Sequence, residues 1–112
     1  MTLPQSLGEF EQLVLLAIVH LGAEAYGVTI RREIEARTGR SVAVGALYTA
    51  LDRLERRGLV RSSTSEPTPQ RGGRSKRYLT LRPAGAAALE RARKTMERMW
   101  AGIKPGHLRT RP

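Results

Sequence analysis

The strongest constraint on this chain is a joint only four residues long. Residues 39–42 separate two segments that each carry apolar residues at the spacing of one helix face. A joint that short, opening with Gly39, predicts a helix-turn-helix. In the segment before it, residues 25–38, Val28, Ile30 and Ile34 are expected to face inward and Arg31, Arg32 and Arg37 outward, with Gly39 as the stop. In the segment after it, residues 43–57, Val44, Leu47, Leu51 and Leu54 recur at intervals of three, four and three, and Gly58 follows. The other face of that helix offers Gly45, Tyr48, Thr49, Asp52, Arg53 and Arg56. Upstream, Ser6 and Glu9 have the spacing of a capping box. Phe10, Leu13, Val14, Ala17, Ile18 and Leu21 then predict a first helix that ends at Gly22. Leu15 and Leu16 make this helix apolar on more than one face, a surplus that points to a second partner such as another subunit.

Composition changes after Gly58. Residues 59–64 are short and partly β-branched, residues 76–81 alternate polar and apolar, and Pro67, Pro69, Gly72 and Gly73 keep the loop between them irregular. A hairpin directly after a helix-turn-helix is a wing, and the whole order is that of a winged helix. Pro83 suits the first turn of a fourth helix. Leu89, Ala92, Met96, Met99 and Ile103 recur there at intervals of three, four, three and four, a heptad seam beside Trp100. Glu90 with Lys94 and Arg93 with Glu97 form pairs four residues apart on its outer side. The expected fold class is mainly α with a small β-hairpin: a winged helix-turn-helix over residues 1–82, a dimerisation helix over 83–103, and a flexible basic tail over 104–112.

Charge adds a partner. The 112 residues carry 20 Lys and Arg against 10 Asp and Glu, for a net charge of +10. Residues 1–30 hold three acidic and no basic residues, residues 31–82 thirteen basic and five acidic, and residues 83–112 seven basic and two acidic. Seventeen of the basic residues are arginine, whose planar fork suits phosphates and guanine edges. Segregated excess of this kind indicates a polyanion, with arginine-favouring base composition as the plainer explanation. The absence of cysteine excludes disulfides, thiol nucleophiles and Cys-based metal sites. The longest apolar run, residues 13–19, is too short for a membrane span, and no basic residue precedes Arg31 to flank a secretory signal. A soluble cytoplasmic protein is expected. Catalysis finds no support: His20 lies in an apolar helix, His107 in the tail, and the paired carboxylates Glu33/Glu35 and Asp52/Glu55 sit among arginines as salt-bridge partners. No enzyme, metal or cofactor is expected.

On double-stranded DNA, the third helix of such a fold enters the major groove and the wing meets an adjacent backbone or minor groove. Thr49 can hydrogen-bond or touch a thymine methyl, Arg53 can fork onto guanine or phosphate, and Tyr48 can reach a phosphate through its hydroxyl. In the loop, Arg71, Arg74 and Lys76 surround Gly72 and Gly73, whose bare backbone allows close approach to phosphates. The plainer readings are a solvated helix face and a solvated hairpin turn. For the seam from Leu89 to Ile103 the choice is between covering its own domain and pairing with a second copy. A stripe holding Met96, Met99 and Trp100 favours a homodimer. The same residues could line a pocket for a small aromatic effector near that interface.

Leu7-Gly8-Glu9-Phe10-Glu11, Ala25-Tyr26-Gly27-Val28, Gly45-Ala46-Leu47-Tyr48-Thr49-Ala50-Leu51-Asp52-Arg53-Leu54, Gly58-Leu59-Val60 and Gly72-Gly73-Arg74-Ser75-Lys76-Arg77-Tyr78 resemble the PadR family of bacterial transcriptional regulators. The resemblance spans roughly residues 7–103 and is closest to members with a single C-terminal helix. It implies a winged-helix DNA-binding domain, a C-terminal dimerisation helix and usually a repressor role at palindromic operators. On it, Tyr26, Ser41 and Gly45 join Tyr48, Thr49, Arg53 and the wing residues as DNA contacts. Phe10 and Leu13 likewise join the C-terminal seam as dimer contacts. Two positions depart from the pattern. Ala43 replaces a small hydroxyl residue that would cap the third helix, a loss of about 1 kcal/mol, and leaves Ser41 as the nearest hydroxyl for a phosphate. Arg82 stands where a threonine is common. The alternatives are a winged-helix adaptor that binds a partner protein, and an RNA-binding protein, for which one Phe and three Tyr provide few stacking platforms.

Overall fold

The first helix begins where Gly8 leaves an extended conformation. In the computed structural model, which describes residues 5–65 and 75–111, α1 spans Glu9–Leu21, α2 Gly27–Thr38 and α3 Val44–Arg56. The capping box expected of Ser6 and Glu9 is displaced by two residues. Gly8 is the N-cap, and the Glu11 carboxylate accepts its N–H at 2.9 Å. Glycine has no hydroxyl to return the bond, so only half of the box forms. Glu9 becomes the first helical residue and pairs instead with Arg40. Glu11 is buried and lies 3.3 Å from Arg57, whose other nitrogen donates to the Gln5 carbonyl at 2.9 Å. That arginine holds the N-terminal segment to the end of α3.

The core joins Val14, Leu15 and Ile18 of α1 to Ile30 and Ile34 of α2 and to Leu47, Leu51 and Leu54 of α3. Val28 and Val44, both expected inside, are each 49% exposed. Val28 lies two residues, about 200° of helix, from Ile30, which turns it to the far side of α2. Val44 is the first residue of α3, a turn ahead of the Leu47 that enters the core. Gly39 ends α2 as expected, with φ at 73°, a conformation that a side chain would strain, and its N–H on the Glu35 carbonyl at 2.9 Å. The Glu35 carboxylate then accepts the N–H of buried Val42 at 2.8 Å, which fixes the turn into α3.

Strands β1, Val60–Thr64, and β2, Arg77–Leu81, pair antiparallel from Val60 opposite Leu81 to Thr64 opposite Arg77. Val60 and Leu79 are their buried residues. The Leu79 N–H donates to the Ala25 carbonyl at 2.8 Å and Tyr26 bridges to Tyr78, so the approach to α2 lies along the outer edge of β2.

Helix α4, Pro83–Trp100, starts with proline at its first position. It crosses the base of the hairpin at Gly85, where a methyl group would overlap the Leu59 carbonyl and the Leu81 side chain. Ala88 is buried, and Leu89 and Ala92 pack against the rim of the core. Residues 93–100 are all exposed, so α4 leaves the domain after about three turns. The radius of gyration, 17.1 Å, accordingly exceeds the roughly 13 Å of a compact chain this long. The seam expected to reach Ile103 stops at Trp100. Gly102, at φ 81°, turns the chain, and the Ile103 N–H folds back onto the Trp100 carbonyl at 2.9 Å. A single 3-10 turn, Pro105–Leu108, occupies part of the segment expected as a tail.

The close approach at Gly85 sets an expected outcome. Gly85→Ala should destabilise the fold by about 1–3 kcal/mol, read as a lower urea midpoint; an unchanged midpoint would show that α4 does not rest on Leu59.

Candidate nucleic-acid interface

Leu47, Ala50, Leu51 and Leu54 fix the buried side of α3. The helical repeat then places Gly45, Thr49, Asp52 and Arg56 along the opposite side, flanked by Tyr48 and Arg53, all of them exposed. Among the described residues, nothing lies within 4 Å of where a Gly45 side chain would begin, so the first turns of α3 are bare on that side. Ser41 is exposed in the turn that leads into them.

The tip of Tyr48 rests against the start of α2. Its hydroxyl lies over Gly27, where a methyl group would overlap it, and Gly27 opens α2. This contact explains why glycine follows Tyr26. The Tyr26 ring meets Tyr78 edge-on, with centroids 5.5 Å apart and planes at 70°, and Lys76 Nζ stands 4.5 Å from its centroid, within cation–π range. Two bonds close the mouth of the hairpin: the Ser65 N–H donates to the Lys76 carbonyl at 2.9 Å, and the Lys76 N–H to Ser65 Oγ at 2.8 Å. The structure therefore brings Tyr26, Tyr48 and Lys76 to one side of α2. Arg71, Gly72, Gly73 and Arg74, the other expected wing residues, lie outside the described residues.

The salt-bridging carboxylates Asp52 and Glu55, expected from sequence, join α3 to the wing through a partner that was not. Arg77, the first residue of β2, donates through Nη1 to Asp52 Oδ1 at 3.0 Å and through Nη2 to Glu55 Oε1 at 2.8 Å. Glu55 Oε2 accepts both the N–H and the hydroxyl of Ser62 in β1, at 3.1 and 2.5 Å. The Ser62 hydroxyl, then Arg77 and the Ser62 amide, hold the Glu55 carboxyl below its ordinary range. Salt bridging of Asp52 and Glu55 is legible from an arginine-rich sequence, but the partner is not, because it lies in another element.

The other described cations between Arg31 and Lys76 divide in two. Arg31, Arg37, Arg40 and Arg57 face Glu35, Glu33, Glu9 and Glu11. Arg32, Arg53, Arg56, Arg61 and Lys76 are exposed and have no acidic partner among the described residues. Of the expected dimer residues, Met96, Met99, Trp100 and Ile103 are exposed, whereas Phe10, Leu13, Leu89 and Ala92 are half-buried against their own core. Leu16 and Val19, exposed on α1, line a groove with Leu81, Ala86 and Leu89 along α4. Among the described residues there is no His, Asp and Glu group that could hold a metal, and no helix is long and apolar enough to cross a membrane.

A tight turn between α2 and α3, a helix bare along one side, and a hairpin bound to that helix make a winged helix-turn-helix, a fold that DNA-binding proteins use. The family described as "Transcriptional regulator PadR-like family" matches residues 15–91, and the chain belongs to it. It is 36% identical over 105 residues to the transcriptional regulator Rv3488 of Mycobacterium tuberculosis, covering 91% of this chain and 94% of that one. A PadR family transcription regulator from Clostridium difficile R20291 has the same fold, with a TM-score of 0.70, 25% identity, and coverage of 91% of this chain and 100% of that chain. A winged-helix DNA-binding protein from STIV is similar in fold, with a TM-score of 0.67, 19% identity, and coverage of 89% and 100%. The protein is a transcriptional regulator and not an enzyme.

The Ser62–Glu55–Arg77 group sets a pH dependence. A carboxyl held low in the folded state contributes stability that is present above its unfolded pKa and lost as pH falls through its folded one. Urea stability should therefore fall as pH drops below about 4. Glu55→Gln should lose about 1 kcal/mol at neutral pH and show a shallower acid decline. An acid decline identical to the parent's would remove Glu55 as its source.

Proposed function

We propose that this regulator is a cytoplasmic repressor that binds a palindromic operator as a homodimer. Residues 1–82 form the DNA-binding unit, residues 83–103 the dimer contact and residues 104–112 a basic tail. In this reading α3 lies in the major groove, where Gly45 permits close approach and Thr49 and Arg53 meet base edges or phosphates. Tyr26, Ser41, Tyr48 and Lys76 flank it on the backbone, and Arg71, Gly72, Gly73 and Arg74 extend the contact through the wing loop. The carrying observation is the distribution of arginine. Arg31, Arg37, Arg40 and Arg57 face carboxylates, while Arg53 and Arg56, on the bare side of α3, stand with Arg32, Arg61 and Lys76 as exposed cations that have no acidic partner among the described residues. Support for the dimer comes from the exposed Met96, Met99 and Trp100 on the part of α4 that leaves the domain.

Selection from random duplexes, followed by the mass of the complex, tests the whole reading. A recovered palindrome bound by two chains is the expected result; no enrichment at moderate salt would favour a protein-binding adaptor. Arg53→Ala should cost about 1–3 kcal/mol of binding. It should relax specificity at one position if Arg53 reads a base, and weaken all sequences alike if it holds phosphate. Affinity should also fall steeply with salt. A small aromatic effector would sit between subunits beside Trp100, because that indole is half exposed and needs a second wall. Its expected signature is a change in Trp100 fluorescence that accompanies release of DNA.

A further inference from the structure

Asp52 is out of place on a surface that meets phosphates. It lies on the side of α3 opposite the core, beside Arg53 and one turn from Arg56, and its side chain is 58% exposed. An isolated carboxylate there would repel the backbone that the two arginines attract. The charge is not isolated, however. Arg77 reaches over from the first position of β2 and donates to Asp52 and Glu55 together. A pair this exposed contributes little to folding stability, so its placement calls for a different role.

We propose that Arg77 is a positioning residue for DNA binding, which neutralises Asp52 on the α3 face. This rests on the reading of α3 as the DNA-contacting helix. The geometry separates this effect from the attachment of the wing. Ser62 binds Glu55 with two hydrogen bonds of its own, and Leu79 ties β2 to Ala25. The hairpin therefore stays attached without Arg77, whereas Asp52 has no other cation partner among the described residues. Loss of Arg77 then converts a neutralised carboxylate into a free one in front of the duplex. The fork matters as well as the charge, because a lysine cannot span both carboxylates with fixed geometry.

The experiment is a double-mutant cycle on the full chain. Affinity is read by fluorescence anisotropy for the selected duplex and for a random-sequence duplex of the same length. Arg77→Ala should weaken both about tenfold at low salt. Asp52→Asn in that background should restore most of the loss, while Asp52→Asn alone should change affinity less than about twofold. A purely structural role for Arg77 would not be rescued by Asp52→Asn, so an Arg77→Ala loss that persists in the double variant overturns the proposal. Equal gains from Asp52→Asn with and without Arg77 also overturn it, since the carboxylate would then never have been neutralised. Arg53→Ala in the same assay distinguishes the two levels. If it leaves affinity unchanged, the DNA reading of α3 falls; if it weakens binding while rescue is absent, only the role of Arg77 falls.

Discussion

The attachment of the hairpin to the helical core runs through Leu79. Its side chain is buried with those of Leu15, Ile30 and Leu51, and its N–H donates to the Ala25 carbonyl just ahead of α2. One residue thus fixes the sheet in two directions, by apolar burial across it and by a backbone bond along its edge. Everything that gives α3 its surroundings depends on this. Tyr78 reaches Tyr26 because Leu79 is seated, Arg77 reaches Asp52 and Glu55 for the same reason, and Leu81 forms the bed on which α4 lies.

A second organising principle is the division of labour among the arginines. With 17 of them in 112 residues, an unpartnered distribution would coat the whole surface with positive charge. The carboxylates instead gather some of them at joints: Glu11 with Arg57 at the end of α3, Glu9 with Arg40 in the turn, and Asp52 and Glu55 with Arg77 at the wing. Other acidic residues pair within their own helix, Glu35 with Arg31, Glu33 with Arg37 and Glu97 with Arg93. Cations without an acidic partner among the described residues include Arg53 and Arg56 on the front of α3, Arg32 on α2 and Arg61 on β1.

The helices were legible because their apolar spacing is regular, and because Gly39 and Pro83 mark ends that the backbone obeys. Spacing misleads where a pattern outlasts its element. Val28, two residues from Ile30, turns to the far side of α2, and Val44 opens α3 a turn ahead of the Leu47 that enters the core. Ile103 continues a heptad in sequence, yet Gly102 has already turned the chain. The Ser6 box gave way to Gly8 because Glu11 gains Arg57 as well as a backbone donor. At the candidate site, Tyr48, Thr49 and Arg53 were visible from helical phase. The hold of Tyr48 on Gly27 and of Arg77 on Asp52 was not, since both cross between elements and leave no mark in local spacing.

The departure of α4 from its domain has a dynamic consequence. Residues 93–100 keep their helical hydrogen bonds with one side-chain pair, Arg93 with Glu97, and no burial. A helical stretch of that length is marginal in water when nothing covers it. Its amide hydrogens should therefore exchange with solvent far sooner than those of α1 or α3, and slow only when something outside the protomer lies across Met96 and Trp100. Under the proposed pairing of two chains, the order of the outer arm becomes a property of protein concentration as much as of sequence.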